Sequence, residues 1–306
     1  VAQEYIELFT RGEASAPHFG MSFPAKKVTT PLERKHLVVS PQLDRQIDYL
    51  LEWRTYHPGL KERGAVEGRF RQGFRTLFHG PSGTGKTFTA KLLGKEMKKD
   101  VYRVDLSMVV SKYIGETEKN LELLFARAED KDWILFFDEA DAIFSKRTGV
   151  KEAHDKYANQ EVSYLLQRIE DYNGLVILAS NMRNNIDEAF IRRFNSILHF
   201  PMPDVDQRKK IWEKTFLDGT KFRQTEKKEG KEVEREADMQ DIIERIKQYQ
   251  LSGGGIQNVV HYASIKGIKR SEERAGKSGK KDLIIRLDDM IEGIRLEFGK
   301  YNIPFS

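Results

Sequence analysis

The stretch Gly80-Pro81-Ser82-Gly83-Thr84-Gly85-Lys86-Thr87 leaves few folds open to this chain. Its glycines let successive backbone N–H groups turn inward, and the Lys and Thr directly after the last glycine add an ammonium and a hydroxyl to the same concavity. Such a loop cradles phosphates when a strand precedes it and a helix follows. Thr76 to His79 reads as that strand and Ala90 to Met97 as that helix. A glycine turn with a purely structural purpose would not call for Lys86 and Thr87.

The surrounding sequence repeats the strand-then-helix rhythm. Short apolar runs near Val101 to Asp105, Trp133 to Phe137, Leu175 to Ala179 and Ile197 to Phe200 alternate with helical patterns. That is the signature of a parallel sheet with crossover helices. Val162, Leu165, Leu166 and Ile169 recur at i, i+3, i+4 and i+7, with Gly174 as a stop, so this helix is expected to pack on the sheet. The expected fold is therefore α/β: a phosphate-loop NTPase with a five-stranded parallel sheet and flanking helices, followed by a small α-helical lid. Residues 1–36 read as an extension or linker, 37–203 as the large nucleotide-binding domain and 204–306 as the lid, with Pro201-Met202-Pro203-Asp204 breaking the alternation. Asp218 to Asp238, dense in Lys and Glu, reads as a solvated insertion or an exposed helix held by ion pairs. Ser271 to Lys281 reads as a loop between lid helices.

Composition removes several function classes. The chain has no cysteine, which excludes disulfides, thiolate metal sites and a catalytic thiol. Its net charge of +5 is spread along the chain, so nucleic-acid binding is permitted but not indicated. No apolar run approaches the length of a membrane span, and the opening residues, with Glu4 and Glu7, do not have the build of a signal peptide. A cytoplasmic protein is the expectation. The start at Val1 leaves room for an upstream domain.

Further residues carry chemistry. Ile134 to Phe137 is an apolar strand ending in Asp138 and Glu139, which places two acids at the carboxyl edge of the sheet, where ligands of such sheets bind. Asp138 is expected to hold magnesium with Thr87, and Glu139 to act as general base on the attacking water. The strand Val176 to Ala179 ends in Ser180-Asn181, and the Asn181 amide is placed to orient the same water. Asp187 to Arg193 ends in two guanidinium groups, Arg192 and Arg193, permanently charged donors suited to a transferring phosphoryl group. Lys86, Glu139, Asn181, Arg192 and Arg193 form the expected catalytic set. Gly80 to Thr87 with Phe88 form the expected ATP cradle.

Together these motifs resemble the AAA family of the AAA+ superfamily, from about Leu37 to about Lys300. The pattern is most similar to the meiotic clade that includes katanin and spastin, and to AAA proteins encoded with bacterial contractile injection systems. The resemblance implies an ATP- and Mg2+-dependent enzyme that forms a ring, typically a homo-hexamer, in which Arg192 and Arg193 act on the neighbour's ATP. It implies that Lys112, Tyr113 and Ile114 in Ser111 to Glu116 form a pore loop that grips a threaded polypeptide, with Arg147 to Asn159 in the place of a second loop. It further implies that Ser252-Gly253-Gly254-Gly255 approaches the nucleotide, with Gly254 where Ala is usual, and that the backbone of Val38 and Val39 reads adenine.

Three alternatives define the comparison. Asp138-Glu139-Ala140-Asp141 spells the label of DEAD-box helicases, but those place their two nucleotide motifs farther apart and need a second sheet domain. A clamp-loader or other nucleic-acid AAA+ motor would show a lid arginine and lack the Lys-Tyr-Ile-Gly loop. A nucleotide-driven assembly factor would switch a partner without threading it and would need no grip at Tyr113.

Overall fold

The computed structural model describes residues 23–62, 73–106, 116–141, 163–181, 191–228, 231–275, 283–302 and 304 of the 306-residue chain. The chain divides into two compact units. One runs to Glu33, then from Gln42 to Gly80 and from Lys86 to His199; the other comprises Arg34–Pro41, Pro81–Gly85 and the chain from Phe200 onward.

The first unit is built on six strands: β1 (Ala25–Val28), β2 (Phe74–His79), β3 (Val101–Val104), β4 (Ile134–Phe137), β5 (Leu175–Ser180) and β6 (Ser196–His199). They lie in the order β1-β3-β4-β5-β2-β6. β2 to β6 are parallel, which bears out the five-stranded sheet, and every residue of β2, β4 and β5 is buried, as central parallel strands require. β1 is an addition. It pairs antiparallel with β3, Ala25 opposite Val104 and Val28 opposite Val101, so order begins ahead of Leu37, where the sequence suggested only an extension. Its signal is hidden by Lys26 and Lys27, both exposed, whereas Phe23 just before it is buried and packs edge-on against Tyr102 and Trp133.

Four helices accompany this sheet: α1 (Pro41–Glu62), α2 (Lys86–Met97), α3 (Glu116–Lys131) and α4 (residues 163–171). In α3 the buried residues Leu121, Leu124, Phe125 and Ala128 recur at helical spacing and join the core formed by Leu77, Leu135, Phe137 and Leu178. Leu165, Leu166 and Ile169 of α4 enter the same core, as their periodicity predicts; Val162 lies outside the described residues. Each large apolar side chain so buried contributes about 1.5–3 kcal/mol. The Tyr172 hydroxyl just beyond α4 donates to the carbonyls of Ala128 and Trp133, tying α4 to α3 and to the entry of β4. Because the chain leaves β2 and returns at β3, with β5 and β4 lying between them, the strand order reverses beside β2, the place where sheets of this kind bind ligands at their carboxyl edge.

The second unit contains α5 (Val205–Thr215), β7 (Lys221–Lys228), β8 (Lys231–Ala237), α6 (Met239–Ile246), α7 (Gly253–Ala275), β9 (Ile284–Arg286) and α8 (Leu287–Gly299). Its core joins Trp212, Ile242, Ile243, Ile246, Val259, Met290 and Ile294 from the four helices. Asp204 caps α5 by accepting from the Gln207 N–H at 2.7 Å, and Asp238 caps α6 by accepting from Gln240 at 2.9 Å. The expectation of a purely helical lid with a helical or loose Lys/Glu insertion is corrected here. Most of Asp218 to Asp238 is a β-hairpin, extended by parallel pairing of β7 with β9. Opposite charges that suit a helix surface also suit facing strands. Arg223 meets Glu234 at 3.2 Å, Arg286 meets the same carboxylate, Thr225 donates to Asp288 at 2.8 Å, and buried Phe222 anchors the hairpin in the core. The expected loop from Ser271 is also shorter, since α7 continues to Ala275. Among the described residues no helix is long and apolar enough to cross a membrane.

Candidate active site

In the first unit, five of the predicted site residues, Gly80, Lys86, Thr87, Asp138 and Asn181, converge where β2, β4 and β5 end. Gly80 terminates β2 at φ +145°, and its N–H donates to the Ser180 carbonyl of β5 at 3.2 Å. Lys86 opens α2 with its ammonium folded back toward the end of β2, donating to the Gly80 carbonyl at 2.6 Å and to Asn181 Oδ1 at 3.0 Å. Burial lowers its pKa below the ordinary lysine value, while the carboxylates of Asp138 and Asp141 oppose that shift. Thr87, one residue on, donates its hydroxyl to Asp138 Oδ2 at 3.4 Å.

Asp138 and Glu139 leave β4 in a turn that directs them differently. Asp138 is partly buried, beside Thr87 and 3.9 Å from the Arg103 guanidinium. Glu139 is exposed at φ +53°, in the left-handed region that costs a non-glycine residue about 1–2 kcal/mol. Its N–H donates to Asp138 Oδ1 at 3.2 Å, so the strained turn is held by the acid that precedes it.

One participant escaped the sequence reading. Asp141, the fourth residue of the Asp138 to Asp141 run, accepts from the Ser180 hydroxyl through one carboxylate oxygen and from the Asn181 N–H through the other at 3.0 Å. Its signal in the sequence is the acidic run itself, of which only the first two members carry an expected role.

In the second unit, the arc Pro81–Gly85 meets the lid turn. Gly83 adopts φ +76° and Gly85 φ +103°. The Thr84 hydroxyl donates to the Pro81 carbonyl at 2.8 Å. Gly254 N–H donates to the Gly83 carbonyl at 2.9 Å. A Cβ on Gly254 would stand 3.2 Å from Gly83 Cα, and one on Gly253 3.3 Å from the Gly83 carbonyl oxygen, so both glycines pack closely on the arc. Leu37 approaches Gly85, its Cδ1 lying 3.7 Å from where a Cβ would be, so the segment holding half-buried Val38 and Val39 runs beside the loop. Pro81 and Ser82 are exposed on the arc, and Phe88 is half-buried in α2.

The two predicted arginines are not equivalent. Arg193 pairs with Glu170 at 2.7 Å in the same chain, whereas Arg192 is exposed and has no hydrogen bond or ion pair among the described residues. Asp187 to Phe190, the predicted pore loop with Lys112, Tyr113 and Ile114, and Arg147 to Asn159 lie outside the described residues.

Residues 76–202 match the ATPase family associated with various cellular activities (AAA). The chain carries an AAA ATPase domain. This domain is similar to that of the vesicle-fusing ATPase of Caenorhabditis elegans, 30% identical over 219 residues that make up 66% of this chain and 25% of the relative. It is likewise similar to the proteasome-activating nucleotidase of Aeropyrum pernix, 31% identical over 225 residues, or 71% of this chain and 49% of the relative. The chain thus spans about a quarter to a half of the length of these curated relatives. The crystal structure of the FIGL-1 AAA domain shares the fold of this chain with a TM-score of 0.62 at 19% identity, covering 98% of this chain and 93% of that one. The same AAA domain is known in complex with ADP.

Proposed function

We propose that this chain is a magnesium-dependent ATPase that works as a ring and remodels protein substrates. The observation that carries the reading is the meeting of Lys86, Thr87, Asp138 and Asn181 at the carboxyl edge of β2, β4 and β5. The large domain takes in β1 and runs to residue 203, and the lid spans 204–306.

Lys86 binds the phosphates of ATP; within the second unit, the N–H groups of the Pro81–Gly85 arc, the Ser252 to Gly254 turn and the Val38-Val39 backbone are the expected nucleotide contacts. Thr87 and Asp138 present two hard oxygen donors in contact, the donor set that suits magnesium shared with phosphate oxygens. The ion, when bound, neutralises charge on those oxygens. Glu139 accepts a proton from water as the water oxygen bonds to the γ-phosphorus; the bond from that phosphorus to its bridging oxygen breaks, and ADP leaves. Asn181 holds the water in line.

Charge developing on the transferred group is met by an arginine of the adjacent subunit, which makes hydrolysis depend on assembly, with a homo-hexamer as the expected ring. Arg192, exposed and unpaired among the described residues, is the better donor, and Arg193, engaged by Glu170, supports the segment. Arg192→Ala is expected to lower kcat about 10³-fold, within the range of such fingers, and Arg193→Ala about tenfold. Steady-state ATPase assays on assembled protein measure both, and equal losses would remove the distinction.

Relatives named for vesicle fusion and for proteasome activation support a protein substrate over nucleic acid. Tyr113 grips the polypeptide through its ring faces, a contact tolerant of sequence. ATPase rates measured with unfolded polypeptides and with DNA or RNA test this reading. Stimulation by polypeptide alone, lost in Tyr113→Ala, is the expected result; activity indifferent to polypeptide and to Tyr113→Ala would instead indicate an assembly switch.

A further inference from the structure

We infer that Asp141 is the positioning residue that fixes Asn181 against Lys86, and so sets how the site distinguishes ATP from ADP. The inference rests on the reading of Lys86 and Asn181 as residues that face the γ-phosphate.

A closed circuit of contacts supports it. Lys86 joins the Gly80 carbonyl to Asn181 Oδ1, and the Gly80 N–H joins β2 to the Ser180 carbonyl of β5. Asp141 completes the circuit from the β4 side, one oxygen on the Ser180 hydroxyl and the other on the Asn181 N–H. The Ala140 N–H adds a parallel tie to the Ala179 carbonyl at 2.8 Å. Asn181 stands one residue beyond the end of β5, where β-ladder pairing no longer fixes the backbone. Asp141 supplies the missing constraint: a carboxylate accepting two donors from consecutive residues restrains that peptide in position and direction. A side chain displaced by about 1 Å in such a site costs on the order of 10²-fold in rate.

Asp141 also carries a charge near Lys86, so it can act by geometry or by field. Substitution separates the two. A carboxamide at 141 keeps an oxygen for the Asn181 N–H and offers its NH2 to the Ser180 hydroxyl oxygen, preserving shape without charge. Alanine removes both.

The experiment compares wild type, Asp141→Ala, Asp141→Asn and Asn181→Ala by the dissociation constants of fluorescent ADP and of a non-hydrolysable ATP analogue, with melting temperature as a control. Asp141→Ala is expected to leave ADP affinity within about twofold and to weaken the ATP analogue about tenfold, reproducing the ratio of Asn181→Ala; Asp141→Asn is expected to retain the wild-type ratio. An unchanged ratio in Asp141→Ala overturns the proposal. So does failure of Asp141→Asn to rescue, which would assign the effect to charge, or joint loss of ADP binding and melting temperature, which would make Asp141 a structural prop. None of these readouts requires turnover. A wild type that binds both probes with the expected ratio but does not hydrolyse ATP itself would refute the ATPase reading and leave the Asp141 result standing.

Discussion

Glu139→Gln is expected to bind ATP with affinity within about threefold of wild type and to hydrolyse it about 10²- to 10⁴-fold more slowly, the span attributed to a positioned general base. The exposed carboxylate of Glu139 accepts no hydrogen bond from the described residues, and its strained backbone is held by Asp138. The substitution preserves shape and removes basicity, so the phosphate cradle remains. Trapping of radiolabelled ATP followed by single-turnover hydrolysis measures both halves. Turnover near the wild-type rate would take the role of base away from Glu139.

Lys86→Ala is expected to weaken nucleotide binding about 10²- to 10⁴-fold. Hydrogen bonds to charged groups contribute about 1.5–3 kcal/mol each, and an ammonium serving two phosphate oxygens loses two of them. The substitution is not expected to unfold the domain. Burial depresses the Lys86 pKa, so the charged form costs stability below that depressed value, and the cost fades as pH rises toward the ordinary lysine value. Removing the ammonium relieves that cost at neutral pH and offsets the loss of its bonds to Gly80 and Asn181. Titration calorimetry with ATP, paired with a thermal melt, separates lost binding from lost fold. A melting temperature that collapses with the affinity would mean that Lys86 is chiefly structural.

Much of the nucleotide fold was legible because its strands are buried on both faces. Ile134 to Phe137 and Leu175 to Ala179 are continuous apolar runs whose polar successors, Asp138 and Ser180-Asn181, mark the edge of the sheet. β1 was not legible, since a four-residue edge strand containing two lysines carries no such run. The β7–β8 hairpin was missed because lysine and glutamate alternate as readily across strands as along a helix, and its register is fixed by Phe222 and by contacts to Arg286 and Asp288 far along the chain. At the site, residue types announced Lys86, Thr87, Asp138 and Asn181. The role of Asp141 emerges only when β4 and β5 lie side by side, and the difference between Arg192 and Arg193 only when Glu170 is seen beside one of them. Residues that act through a neighbour leave no local mark in a sequence.

Dependence of hydrolysis on a neighbouring subunit is tested most directly by the steady-state ATPase rate per chain as a function of protein concentration, for wild type and Arg192→Ala. The rate per chain is expected to rise cooperatively for wild type as the ring assembles, and to stay low and flat for Arg192→Ala. A turnover per chain that is constant across concentration and unchanged by Arg192→Ala would contradict a site completed by its neighbour.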